Sequence, residues 1–222
     1  MLTGRDPARL ADIERACAAR GATVATASVD VADRAAMAAV LARADEAAPF
    51  DLVIANAGIS AGTGEGAESE RQLRAITDVN VAGVINTVAP LVPRLRARRR
   101  GQIALMSSLA SFRGLAGAPG YCASKAWVRV YGEALRGELV ADGVGVSVIC
   151  PGFVGSRMTA GNRFPMPFLM DAERAARIIV RGIAANRGRI AFPFPMAFGS
   201  WLLAALPIAL TDRLLRRLPR KA

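Results

Sequence analysis

Tyr121 and Lys125 stand four residues apart at the head of an apolar-periodic stretch that follows a Gly/Pro-rich loop, Gly114 to Gly120. On a helix this spacing places both side chains on one face, with Cβ atoms about 5–6 Å apart. A phenol in water has a pKa of about 10 and neither gives nor takes a proton readily near neutrality. An ammonium fixed beside it favours the phenolate and draws that pKa toward the working range. The pair therefore reads as a tuned acid/base, with Lys125 expected to lower the pKa of Tyr121. Alone, the spacing more often marks an exposed surface pair, so partners elsewhere in the chain must decide. The 222 residues contain no histidine, which excludes a Ser-His-Asp triad and any His-ligated metal. Cys17, Cys122 and Cys150 are odd in number and lack metal-ligand spacing. They suit a reduced, cytoplasmic compartment.

The length suits one domain with a full core. A hydrophobic content of 53% is that of a globular chain rather than a disordered one. The formal charge of +11 concentrates at Arg94 to Arg100 and at Arg213 to Lys221. The first run closes a predicted helix, where cations suit the dipole. A basic excess also fits nucleic acid or an anionic membrane. No aromatic-interleaved basic patch supports nucleic acid, and none is expected as a partner.

The elements that must position the pair follow from periodicity. Leu2-Thr3-Gly4 ends a strand, with Asp6 as N-cap and Pro7 at the first position of a helix running to Arg20. Ala22 to Val29 reads as a strand and Ala32 to Ala47 as a helix. Asp51 to Ala55 is a buried-strand pattern. A long helix is expected from about Glu70 to Arg99, interrupted or kinked at Pro90 and Pro93. Gln102 to Ser107 is a strand, and the Tyr121 helix runs to Asp142. Val144 to Cys150 is a strand, Asp171 caps a helix to Asn186, and Arg189 to Phe192 is a last strand. Such alternation predicts an α/β fold with a doubly wound parallel sheet, Rossmann-like, over 1–192. Ligands bind such sheets beyond the strands' carboxyl ends. Arg5, Asp30, Asn56, Ser108 and Pro151-Gly152 all fall at such ends.

These residues together resemble the short-chain dehydrogenase/reductase family over about Leu2 to Phe192. The resemblance rests on Asn56-Ala57-Gly58, Asn80 in Asp78-Val79-Asn80-Val81, Ser108, Tyr121-x-x-x-Lys125, and Pro151-Gly152-Phe153-Val154. Ser108 rather than Ser107 stands at the family's spacing from Tyr121. The resemblance implies an NAD(P)-dependent oxidoreductase interconverting a carbonyl and an alcohol. Tyr121 would exchange a proton with the substrate oxygen, and Ser108 would hold that oxygen. Lys125 would also bond the nicotinamide ribose, and Asn80 would position a water linking Lys125 to solvent. Asn56, Ala57, Gly58, Pro151, Gly152 and Val154 would line the cofactor, with Ser156 in place of the family's Thr against the carboxamide. Asp30 and Val31 would meet the adenine edge. Arg5, beside the adenosine ribose, favours NADP(H) over NAD(H), because a guanidinium forks onto a 2′-phosphate. Read singly, Ser108 is also a strand end, Asn80 a buried cap and Asn56-Ala57-Gly58 a turn.

One part of the family pattern is lacking. Thr3-Gly4 is not followed by the glycines of Thr-Gly-x-x-x-Gly-x-Gly, whose helix N-terminus binds the pyrophosphate. In the family order 3-2-1-4-5-6-7 the numbered chain begins inside the second strand. Strands 2 and 4 are then expected to have open edges, and the true start is expected upstream. A chain that starts at Met1 is expected to bind NADP(H) poorly, leaving an inactive relative of the fold as the alternative function. A basic membrane-surface or nucleic-acid binder is the third.

Residues 193–222 read as an apolar, then basic, extension. No residue from Ile190 to Leu210 is charged, and Arg213, Arg216, Arg217, Arg220 and Lys221 follow. A substrate lid or oligomer contact, a peripheral membrane contact and a true span are all open readings. The apolar residues here, with Phe153, Phe164, Met166, Phe168 and Met170, point to a lipophilic small-molecule substrate. The family also implies a homo-oligomer, through the Glu70–Arg99 and Tyr121–Asp142 helices.

Overall fold

The computed structural model describes residues 1–60, 68–162 and 164–215. The Gly-rich loop at 61–67 and the basic stretch beyond 215 lie outside the described residues. Among the described residues six parallel strands form two sheets. Strand β1 (Leu2–Gly4) pairs with β2 (Thr26–Ser28), with Thr3 opposite Ala27. The second sheet runs β3 (Leu52–Ala55), β4 (Gly101–Met106), β5 (Val144–Pro151) and β6 (Arg189–Phe192). Its register places Val53 opposite Ile103, and Ile103 opposite Val146.

Helices cover both faces of the larger sheet. On one side, Val84 and Val88 of α4 (Gly83–Val88) and Leu95 of α5 (Val92–Arg98) pack on Ile103 and Leu105. Val128, Leu135 and Leu139 of α6 (Pro119–Leu139) complete that layer. On the other side, Ala175 and Ile183 of α8 (Ala172–Ala184) cover Ala104, Ile149 and Ile190. This is the doubly wound parallel arrangement that the alternation predicted. The smaller sheet carries α1 (Pro7–Ala18) and α2 (Arg34–Ala47), whose Met37 and Leu41 pack with Val29, Val53 and Leu91. Asp6 caps α1 by accepting from Arg9 N at 3.2 Å, with Pro7 first in the helix, as expected.

Among the described residues β1 pairs only with β2 and β3 only with β4, so one edge of each is open, as expected. On β3 the alternation is sharp: Val53 and Ala55 are buried, while Leu52 and Ile54 are 39% and 47% exposed. Ile54 shares a sheet face with its β4 partner Ala104, which α8 covers; that cover stops short of β3.

Three expectations need correction. The helix expected over Glu70–Arg99 is α3 (Glu70–Thr77), a π-turn (Asp78–Ala82), α4 and α5. The interruption expected at Pro90 and Pro93 falls between α4 and α5, and Pro93 lies in the first turn of α5, where a missing N–H costs nothing. The strand expected over Ala22–Val29 shrinks to three residues, because only β1 pairs with it. The loop Phe153–Met170 contains a short helix, α7 (Arg157–Ala160), and a parallel bridge from Val154 to Met170. Beyond β6 come α9 (Phe194–Ala205) and α10 (Ile208–Leu215).

Candidate active site

Pro119 opens α6, so Tyr121 sits in its first turn and Lys125 one turn on, on the same side. The Lys125 ammonium lies 5.9 Å from the Tyr121 ring centroid. Tyr121 hydrogen-bonds the Ser108 side chain, which follows β4 in an extended conformation. Ser108 Oγ also accepts from Ala110 N at 3.1 Å. β4 thus places the hydroxyl that α6 meets. Ser107 clamps the two elements together: its Oγ donates to Lys125 O at 2.8 Å, while Lys125 Nζ donates to Met106 O at 2.8 Å.

Asn80 is fully buried in the π-turn between α3 and α4. A π-turn inserts one residue into a helix and often marks a functional position. The Asn80 amide is bonded on both sides: Oδ1 accepts from Ile59 N at 2.8 Å, and Nδ2 donates to Ile59 O at 2.9 Å and to Ser124 Oγ at 3.0 Å. The side chain therefore pins the Asn56-Ala57-Gly58-Ile59 turn to α6. Gly58 lies at the centre: a Cβ there would stand 3.2 Å from Lys125 Nζ and 3.4 Å from Asn80 Oδ1. A glycine keeps this approach to the ammonium open.

Burial acts against the expected tuning. With Lys125 only 3% exposed, desolvation draws its ammonium down to about 8. Desolvation pushes the Tyr121 phenol up, and the Ser108 hydrogen bond opposes it. The expected lowering of Tyr121 by Lys125 is therefore not present in the protein alone. Taking a phenolate and an ammonium out of water disfavours both charged forms. Cys122 and Cys150 are buried, and burial raises both thiols, Cys150 to about 11, which disfavours the nucleophilic thiolate.

The remaining strand ends line the same edge. Gly152 N donates to Phe192 O at 2.7 Å, fixing Pro151-Gly152 between β5 and β6. Ser156 is exposed and caps α7, accepting from Thr159 N at 3.3 Å, so it is not bonded into the Tyr121 cluster. At the far end, Arg5 Nη1 meets Asp30 Oδ2 at 3.5 Å. Two residues given separate roles thus form one exposed pair. Asn86 donates to Val31 O at 2.8 Å and holds that loop against α4. Asn86, Ser107, Ser124 and Ile59 were not singled out from sequence. Asn86, a lone amide among Val84, Ile85 and Val88, was a legible signal; Ile59 acts through its backbone, which no side-chain pattern reveals. A cavity of about 600 Å³ lies along α6 between Phe112, Arg113, Cys122 and Arg129, but its lining includes neither Tyr121 nor Ser108.

Gly58 leaves an open approach to Lys125 Nζ, and Arg5 and Asp30 stand exposed just beyond β1 and β2, room that suits a nicotinamide cofactor. Residues 1–165 match the family described as short chain dehydrogenase. A relative from Myxococcus xanthus, described as an uncharacterized oxidoreductase, is 38% identical over 216 residues, covering 97% of this chain and 85% of its own. The chain belongs to the short-chain dehydrogenase family. Among solved structures, the apo form of LigD from Sphingobium sp. strain SYK-6 has a TM-score of 0.79 at 25% identity, covering 95% of this chain and 84% of that one. A short-chain dehydrogenase from Sphingobium yanoikuyae in complex with NADPH has the same fold, with a TM-score of 0.79 at 22% identity over 98% and 85% of the two chains. As a short-chain dehydrogenase the protein is an oxidoreductase of a family that binds a nicotinamide cofactor and acts on small molecules.

Proposed function

We propose that this short-chain dehydrogenase is an NADP(H)-dependent oxidoreductase interconverting a carbonyl and an alcohol on a lipophilic substrate. The observation that carries the reading is the meeting of half-buried Tyr121 with buried Ser108 and Lys125 beside the gap at Gly58. Bound there, the cofactor supplies or accepts the hydride. The chain handles the proton. In reduction Ser108 holds the carbonyl oxygen and Tyr121 gives it a proton as negative charge develops. Lys125, already at about 8, supports the phenolate left behind. A water route to Lys125 past Asn80 belongs to the same reading, with the water held by groups other than the occupied amide. Asn56, Ala57, Pro151, Gly152 and Val154 line the cofactor by position, and Ser156 reaches the carboxamide only if its cap yields.

Arg5 supports NADP(H), since its guanidinium is 63% exposed and a 2′-phosphate would compete with Asp30 for it. Replacing it, Arg5→Ala, is expected to raise KM for NADPH about tenfold while leaving NADH unchanged. Equal effects on both cofactors would overturn that preference. Turnover of a medium-chain ketone well above that of a polar sugar tests the substrate class. Exposed Leu73 on α3, Ile85 on α4 and Val130 on α6 support a homo-oligomer through those helices, tested by sedimentation. A peripheral membrane contact through 193–222 is part of this reading.

A further inference from the structure

α9 has twelve residues, none of them buried, although it carries no charge. Its inner side is anchored: Met196 and Ala197 pack against Leu109 and Cys150, beside the strand end that carries Ser108. Its outer side presents Phe194, Phe198, Trp201 and Leu202, at helical positions i, i+4, i+7 and i+8. Phe194 is 78% exposed, Phe198 53% and Trp201 52%. The rings form a run, with centroids 6.2 Å apart from Phe194 to Phe198 and 5.9 Å from Phe198 to Trp201. Leu206, Ile208 and Leu210 extend the apolar surface. A continuous exposed patch of this kind marks an interaction surface.

The geometry points to the surface of an anionic lipid bilayer as the occupant. Twelve residues span about 18 Å, short of the roughly 30 Å hydrocarbon core, so α9 would lie in the interface rather than cross it. Charge selects lipid over a second copy. The chain carries +11, and Arg213, Arg216, Arg217, Arg220 and Lys221 follow the patch directly in sequence. Asp212 is the one acid after residue 190, and Arg113 neutralises it at 2.7 Å. Two copies joined through α9 would set these cationic segments against each other, whereas phosphatidylglycerol headgroups complement them. This inference extends the partner side of the proposed function. Its test reads binding alone, so a failure to bind lipid is distinct from a failure to turn over carbonyls.

The full chain is mixed with phosphatidylcholine vesicles, with and without an equal share of phosphatidylglycerol, and sedimented. Binding at least about tenfold greater to the anionic vesicles, weakened by salt, is expected. Brominated phosphatidylglycerol should quench Trp201 emission. Trp201→Leu should bind like the native chain and lose that quenching. The triple variant Phe194→Ser, Phe198→Ser, Trp201→Ser should lose binding while keeping its circular dichroism spectrum. Equal binding to both vesicle types, no quenching of Trp201, or undiminished binding by the triple variant would each overturn the proposal. So would a self-associated species that the triple variant abolishes, which would assign the surface to a second copy.

Discussion

The residues proposed to react in this short-chain dehydrogenase are held in place by main-chain groups and by Ser107. Tyr121 meets Ser108, and Lys125 is fixed by Met106 O and the Ser107 clamp. Tyr121→Phe is expected to lower carbonyl reduction by about 10²–10⁴-fold with little change in melting temperature, measured as NADPH oxidation. Lys125 makes a second prediction, on pH. Its folded pKa of about 8 lies below the unfolded value of 10.5, so the unfolded chain binds more protons between them. Folding therefore carries a penalty that is full below pH 8 and is relieved as pH rises toward 10.5. Native protein minus Lys125→Met should show this rise in cofactor-free urea titrations. The shifts of Tyr121 and the two buried thiols are common to both proteins and cancel. A flat difference between pH 7 and 10 would show that the ammonium is not desolvated.

At the scale of elements, the site depends on how closely α6, β4, β5 and the π-turn approach. Gly132 lies where α6 crosses the sheet, and a Cβ there would meet Val148 Cγ2 at 2.5 Å and Leu105 Cδ1 at 2.7 Å. Gly132→Ala is expected to cost about 1–3 kcal/mol by overpacking, read from denaturant unfolding, and to lower activity by lifting Tyr121 and Lys125 from β4. Asn80→Ala would leave Ile59 N, Ile59 O and Ser124 Oγ without their amide partner. A loss of about 3 kcal/mol is expected, with faster amide exchange at Ile59 as its local mark. The family resemblance at Asp78-Val79-Asn80-Val81 pointed to Asn80. Its role as a two-sided clamp did not show in sequence, because Ile59 offers only main-chain groups.

Across the whole molecule, two sheets share one layered core, and an ion cluster ties α2 to α5. Asp45 is 2% exposed, and Arg98 binds it through two nitrogens at 2.8 and 2.9 Å while Arg94 reaches it at 3.4 Å. The Arg98 hydrogen bonds hold its carboxyl below the ordinary 3.8. That contribution is present above the unfolded pKa and is lost as pH falls through the folded one. Asp45→Asn should cost about 2 kcal/mol at neutral pH and flatten stability against pH below 4. The figure is at the low end for such pairs because both guanidiniums still reach water.

Local rules made much of this legible. The parallel alternation, the Asp6, Asp171 and Pro7 helix starts, the strand-end placement of Ser108 and the one-face spacing of Tyr121 and Lys125 all follow from periodicity, capping and motif spacing. These depend on neighbours within a few residues, which the chain itself supplies. Tertiary structure decided what depends on burial and on residues far apart in sequence. It put a π-turn into the expected Glu70–Arg99 helix, paired Arg5 with Asp30, and left the aromatic side of α9 in solvent. It also reversed the expected tuning of Tyr121: adjacency to Lys125 was visible as a spacing of four, but the loss of water around both groups exists only once α6 closes on β4.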